Sequence, residues 1–419
     1  MGEGTVHVAG AGVAGLAAAV ALADAGRRVV VHEAAGFAGG RCRSYHDREL
    51  GCRIDNGNHL LLSANRSALA YLRAIGAEGT LCAAPEPVFP FVDLGTGERW
   101  TLRPGLGRLP GWVLDAARRV PGSRAADYLG ILRLALAGAK ATVAEVLDTS
   151  STLFRRLWGP VAVAALNTEP ETASARAFWT VITETFGQGG ASCRPMVARD
   201  GLSESFVEPA LRHLRNRGAE IQLGRRLRRL GLEGGRVTSL AFADDTVALG
   251  PDDRVVLATP APVAASLLPG LEAPQEFRAI LNLHFRRNVA MQQPGFVGLV
   301  GGLAEWVFAR AETVSVTVSA ADRHLERDPG ELAAEAWRDV TRALDLPPGP
   351  PPPWRLVKEK RATFAATPRE LARRPAQRTR WRNLALAGDW TDTGLPATIE
   401  GAIRSGQRAA GLALVMGGS

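Results

Sequence analysis

The chain has 419 residues, 46% of them hydrophobic and 22% charged, enough for two or three domains with sizeable cores. Its formal charge is +8, and almost all of the positive charge is arginine, since lysine occurs only at 140, 358 and 360. The excess favours an anionic cofactor or an anionic membrane surface; without zinc-ligand spacing, an RNA-binding aromatic motif or a dense basic run, neither nucleic acid nor a resident metal is expected. Four scattered cysteines (Cys42, Cys52, Cys82, Cys193) make no disulfide framework. No basic region precedes the first apolar run, so no signal peptide is read. No charge-free run reaches the roughly 20 residues of a transmembrane helix, and a cytoplasmic location is expected.

Thr5 to Glu33 reads as strand, glycine turn, helix, strand. In Gly10-Ala11-Gly12-Val13-Ala14-Gly15, Gly10 permits a tight turn, Gly12 lets the backbone approach a pyrophosphate, and Gly15 lets the helix pack on the strand. Free N–H groups at the helix start, Ala14 among them, then face phosphate. Glu33, at the end of the second strand, is placed to accept a ribose hydroxyl. Gly39-Gly40-Arg41 follows, where backbone and guanidinium can both reach a phosphate. Asp55-Asn56-Gly57-Asn58-His59 then runs into Leu60-Leu61-Leu62, a polar turn abutting an apolar run, as in the wall of a site.

A helix is expected from about 65 to 78, capped by Asn65. Short strands are expected near 89–92 and 98–102. Residues 106–166 read as helical, with Tyr128 to Leu136 an apolar helix containing Arg133. Apolar side chains beside Arg118, Arg119 and Arg133 suit an interfacial helix as well as a core helix. Leu202 to Arg217 reads as a helix capped by Ser203, followed by a strand at 221–223, a hairpin over 237–249 and a buried strand at 254–258. Sheet is expected within 280–318 and a helix at 331–344. Leu384 to Ala387 is a strand leading into Gly388-Asp389, and Thr398 opens a helix running to about Val415. Asp389 can take a ribityl or ribose hydroxyl. The amides around Glu400 to Ala402, with Thr398, Ile399 and Gly401, can face an electron-rich ring edge.

Taken together, the GxGxxG turn, Glu33, Gly39-Gly40-Arg41 and a C-terminal Gly-Asp followed by a Glu-Gly-Ala…Ser-Gly helix resemble the amine oxidase and phytoene desaturase superfamily of FAD enzymes. The resemblance implies bound FAD in an α/β, Rossmann-type domain built from discontinuous segments, about 1–85, 195–270 and 375–419. An α+β substrate domain would come from 86–194 and 271–374, with a helical membrane-facing part. It also implies adenine against the backbone of Leu227, and Asn56, Gly57 and Asn58 beside the cofactor.

A narrower resemblance rests on Gly39 to Ser44, Ile54 to Leu62, Asn282-Leu283-His284-Phe285 and Ala362-Thr363-Phe364. It is to the squalene-associated FAD-dependent desaturase group, which includes enzymes that dehydroxylate hydroxysqualene. The implied reaction delivers a hydride from reduced flavin N5 to an allylic carbon and releases water. The implied setting is the inner face of the cytoplasmic membrane, with an electron donor left unidentified. Departure of hydroxide calls for a general acid, and Asp55 and His59 lead the candidates, with His284 and Glu400 behind them. Trp390 or Trp179 can offer a ring face to an allylic cation. A carotenoid-type polyene desaturase, a flavin amine oxidase and a non-enzymatic prenyl-binding protein remain alternatives. Asn282 and His284, on a strand where amine oxidases often hold a lysine, count against amine oxidation.

Overall fold

In a computed structural model, which describes residues 4–291, 295–310 and 312–416, five short strands form a parallel sheet. The strands are Val6–Ala9 (β1), Val29–His32 (β2), Glu220–Gln222 (β3), Arg254–Leu257 (β4) and Leu384–Leu386 (β5), in the spatial order β3-β2-β1-β4-β5. Every residue of β1, β2, β4 and β5 is buried, as a parallel sheet covered on both faces requires. One face packs on Val13–Asp24 (α1), on Arg66–Ala74 (α2) and on the C-terminal helix Ile399–Val415 (α3). The other carries a small antiparallel sheet from residues 229–248 and the helix Ala261–Leu267.

A second, seven-stranded sheet is built from the residues between. In spatial order it runs Trp354–Phe364, Phe277–Arg286, Thr313–Val318, Trp306–Arg310, Phe296–Val300, Phe89–Asp93, Arg99–Leu102. All pairs are antiparallel except the parallel contact between 296–300 and 89–93. Opposed residues in such ladders share a face. One row therefore runs His284, Ser315, Phe308, Phe296, and the next runs Asn282, Thr317, Trp306, Gly298, Phe91. Both rows pass from polar to aromatic. Their aromatic half packs under the segments from 120 to 193, while the opposite face, with Leu281, Leu283 and Phe285, packs on Pro329–Ala343.

Local structure departs from the sequence pattern in three places. Ala125–Leu136 is a run of 3-10 turns rather than an α-helix. Tyr128, Ile131 and Leu134 recur every third residue and face inward, and a helix of three residues per turn lines them up along one edge. Ser203 does not cap its helix; its hydroxyl accepts the Ser44 N–H (2.7 Å), and the chain passes through a π turn at Ser203–Val207 before Glu208–Asn216. Asn65 sits at the N-cap of α2, but its side chain accepts the Leu62 N–H (2.8 Å) instead. No helix among the described residues is long and apolar enough to cross a membrane.

A pair of histidines spans the first sheet. His7 Nδ1 lies 3.1 Å from His32 Nε2, and His32 Nδ1 lies 2.9 Å from Gln222 Oε1. Burial disfavours the charged ring, lowering the pKa of His7 and that of His32 to about 4. The unfolded chain takes up protons below about 6.5 that the folded chain refuses, so stability is complete above that pH and is lost as pH falls toward 4. The melting temperature is expected to fall steadily from pH 7 to pH 5, and His32→Gln is expected to make that slope shallower, His59 and His284 supplying the rest. An unchanged slope in the variant would show that the acid sensitivity arises elsewhere.

Candidate cofactor and active site

Backbone sterics build the first part of the site. Gly10 has φ +112°, and a Cβ there would lie 2.4 Å from the Ala258 carbonyl oxygen. A Cβ on Gly15 would lie 1.8 Å from the Gly10 carbonyl oxygen. At Gly12 a Cβ would have no atom within 4 Å, so the open side of the turn is free for a ligand to approach. Gly12 is also the N-cap of α1, without a capping side chain and with no acid in the first turn. The amides of Val13 and Ala14 therefore face outward as an anion site. The second glycine loop lies beside the first, with Gly39 N–H donating to the Ala11 carbonyl (2.8 Å) and Gly40 packed against Gly12 Cα. Glu33 is fixed at the end of β2 by the N–H groups of Ala11 (2.7 Å) and Ala35 (2.8 Å). Leu227 is buried in the extended link between β3 and the strand Arg229–Glu233.

The C-terminal segment closes on these loops. Arg41 Nη2 lies 2.8 Å from Asp389 Oδ1, and Arg41 also donates to the Ala362 carbonyl. Gly388 N–H donates to Ser405 Oγ (3.0 Å), which holds the Gly-Asp turn on α3. Thr398 caps α3 by accepting the Gly401 N–H (3.0 Å), and the Ala402 N–H goes to the Thr398 carbonyl (2.9 Å). The expectation for residues 400–402 is thus corrected. Gly401 and Ala402 spend their amides inside the helix, and those of Ile399 and Glu400 are left to face a ring. Uncapped amides at two helix starts, an open Gly12 and a Glu33 carboxylate at the strand end fit an extended dinucleotide such as FAD.

Asp55 to His59 leads from this domain onto the polar end of the seven-stranded sheet. Asp55 is 2% exposed; its carboxylate accepts from Ser44 Oγ (2.5 Å) and Leu202 N–H (3.1 Å) and pairs with Arg310 (2.5 Å). A carboxylate so engaged is committed to holding the loop to its neighbours. Asn56 reaches Glu359 (3.3 Å), while Gly57 and Asn58 lie against Asn282. Glu400 turns away from the cleft. Its oxygens accept the N–H groups of Ser67 (3.1 Å) and Ala68 (2.8 Å) at the start of α2, and Arg404 lies 3.3 Å away. It acts as an anchor between α3 and α2 rather than as an acid. His284 is 1% exposed, with Nδ1 2.7 Å from Ser315 Oγ, and burial lowers its pKa to about 4. His59 is partly exposed and makes no hydrogen bond to another described residue; burial of its ring lowers its pKa to about 4. Trp390 is withdrawn from the ring-face role, because it is buried under β4 and β5 with its N–H on the Thr259 carbonyl (2.9 Å). Trp179 remains at the edge of the aromatic cluster. Ser44, Arg310 and Thr317 were not singled out by sequence; only Ser44, beside the Gly-Gly-Arg motif, carried a local signal.

Similarity to known proteins extends over the whole chain. The flavin containing amine oxidoreductase family matches residues 13–292 and 302–414. Hydroxysqualene dehydroxylase of Rhodopseudomonas palustris is 50% identical over 414 residues, covering 99% of each chain. That of Zymomonas mobilis is 46% identical, covering 97% of this chain and 98% of its own. A probable zeta-carotene desaturase of Synechococcus elongatus is 29% identical over 63% of this chain and 60% of its own. Cyclohexylamine oxidase of Brevibacterium oxydans has the same fold, with TM-score 0.71, 18% identity and 99% coverage of both chains.

Glu400→Gln is expected to lower unfolding free energy by about 1–2 kcal/mol in a denaturant titration while the purified protein keeps its flavin. Arg41→Ala should change stability by less than about 1 kcal/mol and purify with most of its flavin lost. A colourless Glu400→Gln, or a fully yellow Arg41→Ala, overturns this division of roles.

Proposed function

The chain belongs to the flavin containing amine oxidoreductase family, and from that premise we propose that it binds FAD and reduces hydroxysqualene to squalene with loss of water. The observation that carries this reading is the graded sheet face. Its polar end, with Asn282, Thr317, His284 and Ser315, lies at the Asn56–His59 loop, and its aromatic end, with Phe308, Phe296 and Trp306, offers a bed for an isoprenoid chain. Near-full-length identity of 46–50% with hydroxysqualene dehydroxylases supports the same substrate. The carotene desaturase likeness is weaker and covers less of the chain, so polyene desaturation is not favoured.

Reduced FAD, when bound, supplies the hydride. Gly12, the α1 amides, Arg41 and Asp389 would hold its phosphates and ribityl chain, and the free amides of Ile399 and Glu400 would be available to its ring. The chain must also see the hydroxyl leave as water, which takes one proton. Of the four candidate acids, Asp55 and Glu400 are committed as buried anchors, and His284 is tied to Ser315. The His284 Nε2 has no partner among the described residues but is buried, whereas His59 is partly exposed, and it donates to the leaving oxygen. With a pKa of about 4, roughly one His59 in a thousand is protonated at pH 7 and one in ten at pH 5. Turnover of hydroxysqualene to squalene by the anaerobic, dithionite-reduced protein is therefore expected to rise as pH falls from 8 toward 5.5. His59→Ala should flatten that limb and slow turnover by about 100-fold. Absence of squalene from the wild-type reaction sinks the function, and an unaltered pH profile in His59→Ala sinks the acid.

The substrate is an apolar alcohol that resides in membrane, and the surface offers a matching dock. Leu106, Leu109, Leu114, Leu129, Leu132 and Leu136 are all more than half exposed. They are interleaved with Arg108, Arg118, Arg124 and Arg133, a pattern suited to an anionic interface. From Trp112 in this region, rings lead inward through Tyr128, Trp158, Phe186, Phe89 and Phe296 to Phe308, with neighbouring centroids 5.3–6.3 Å apart. The chain therefore docks on the inner face of the cytoplasmic membrane by this edge. Leu109→Ser/Leu136→Ser is expected to weaken binding to anionic liposomes by at least about tenfold without changing the melting temperature. Equal flotation of variant and wild type would remove this surface from consideration.

A further inference from the structure

One buried amide connects the two domains at the loop that carries His59. Asn282, on the strand Phe277–Arg286, is 2% exposed. Its Oδ1 accepts the Asn58 backbone N–H (3.4 Å), the Asn58 side-chain amide (3.5 Å) and the Thr317 hydroxyl (3.0 Å). Its Nδ2 donates to the Asn56 carbonyl (3.4 Å). Thr317 Oγ1 in turn accepts from Asn58 Nδ2 (3.1 Å), so the three side chains form a closed triangle. A Cβ on Gly57 would lie 3.3 Å from Asn282 Nδ2 and 3.8 Å from His59 Nε2. Asn282 thus grips the loop on both sides of Gly57, and the imidazole of His59 folds over the same residue.

The chemistry of this grip is specific. Several of its bonds are long and individually weak, but one amide serves them all, accepting on one side and donating on the other. A carboxylate cannot donate to the Asn56 carbonyl, and an apolar side chain of the same shape satisfies neither end. Thr317 is directly opposite Asn282 in the ladder, which fixes the amide's rotamer. The loop is anchored upstream by Asp55, through Ser44, Leu202 and Arg310, so Asn282 is what determines the course of the chain from Asn56 to His59.

We propose that Asn282, oriented by Thr317, is the positioning residue that holds the Asn56–His59 loop and sets His59 for its reaction. The proposal rests on the reading of His59 as the proton donor. Asn282 touches the loop and not the reacting atoms, so its loss acts through the placement of His59. Misplacing a reacting group by about 1 Å typically costs up to about 100-fold in rate.

The test uses FAD-loaded Asn282→Ala, Thr317→Val and Thr317→Ser. Hydrogen exchange of the segment 52–62 is read alongside kcat and KM for hydroxysqualene. Asn282→Ala should speed exchange at residues 57–59 and leave the first sheet unchanged. It should lower kcat by about 10- to 100-fold with KM within about threefold, and reduce the dependence of kcat on pH. Thr317→Val should show a weaker form of the same change, Thr317→Ser should restore it, and the Asn282→Ala/Thr317→Val double variant should be no worse than Asn282→Ala alone. Unchanged exchange at 57–59, or wild-type kcat in Asn282→Ala, overturns the proposal. A fall confined to melting temperature, equal in Thr317→Val and Thr317→Ser, also overturns it by making the cluster merely structural. If wild type makes no squalene, the proposed function fails on its own, and exchange still decides whether Asn282 holds the loop.

Discussion

Helix α1 is packed so tightly that main chain meets main chain on both of its sides. A Cβ on Gly15 would collide with the Gly10 carbonyl at 1.8 Å, and one on Gly406 with the Ala14 carbonyl at 2.1 Å. No side chain separates α1 from the turn below it or from α3 beside it. This close approach brings residues nearly four hundred positions apart in sequence onto one cofactor. The N-terminus of α1 sits above β1, α3 lies along α1, and the segment leading into α3 carries Asp389 back to Arg41. Larger residues at positions 15 or 406 would push α3 outward and separate the phosphate end of the site from the ring end.

The second sheet does a different job with a simple device. Along each row, polar side chains near 282–284 give way to aromatic ones near 296–308, so one face can meet a polar reacting group and an apolar tail together. The two sheets are tied through the 55–59 loop. Asp55 fixes its start by an ion pair and two hydrogen bonds, and Asn282 fixes its middle. Burial of charge is tolerated here because each carboxylate faces an arginine and accepts two hydrogen bonds. Asp55 and Glu400 thereby become parts of the frame.

Much of this was legible in the order of residues. Gly10, Gly12 and Gly15 announced their roles because a tight turn, an open backbone and a close helix are local steric requirements. Most of the parallel strands were readable as short, mainly apolar runs. Other features were not. The strand Trp354–Phe364 follows a proline-rich stretch and contains Lys358, Glu359, Lys360 and Arg361; it is an edge strand, where charge is tolerated and hides the usual pattern. Tyr128 to Leu136 looked like an α-helix because apolar residues every third position and every 3.6 positions are nearly indistinguishable over nine residues.

By itself the sequence determined the dinucleotide turn, the glycine-arginine and glycine-aspartate motifs, and the polar loop that precedes an apolar run, since each is written in residues a few positions apart. Only the tertiary structure decided that the two carboxylates among the four candidate acids are held by partners from distant segments. The partners of Asp55 come from positions 44, 202 and 310, and those of Glu400 from 67 and 68. Whether a carboxylate can give up a proton depends on what surrounds it, and those surroundings exist only once distant segments have packed together.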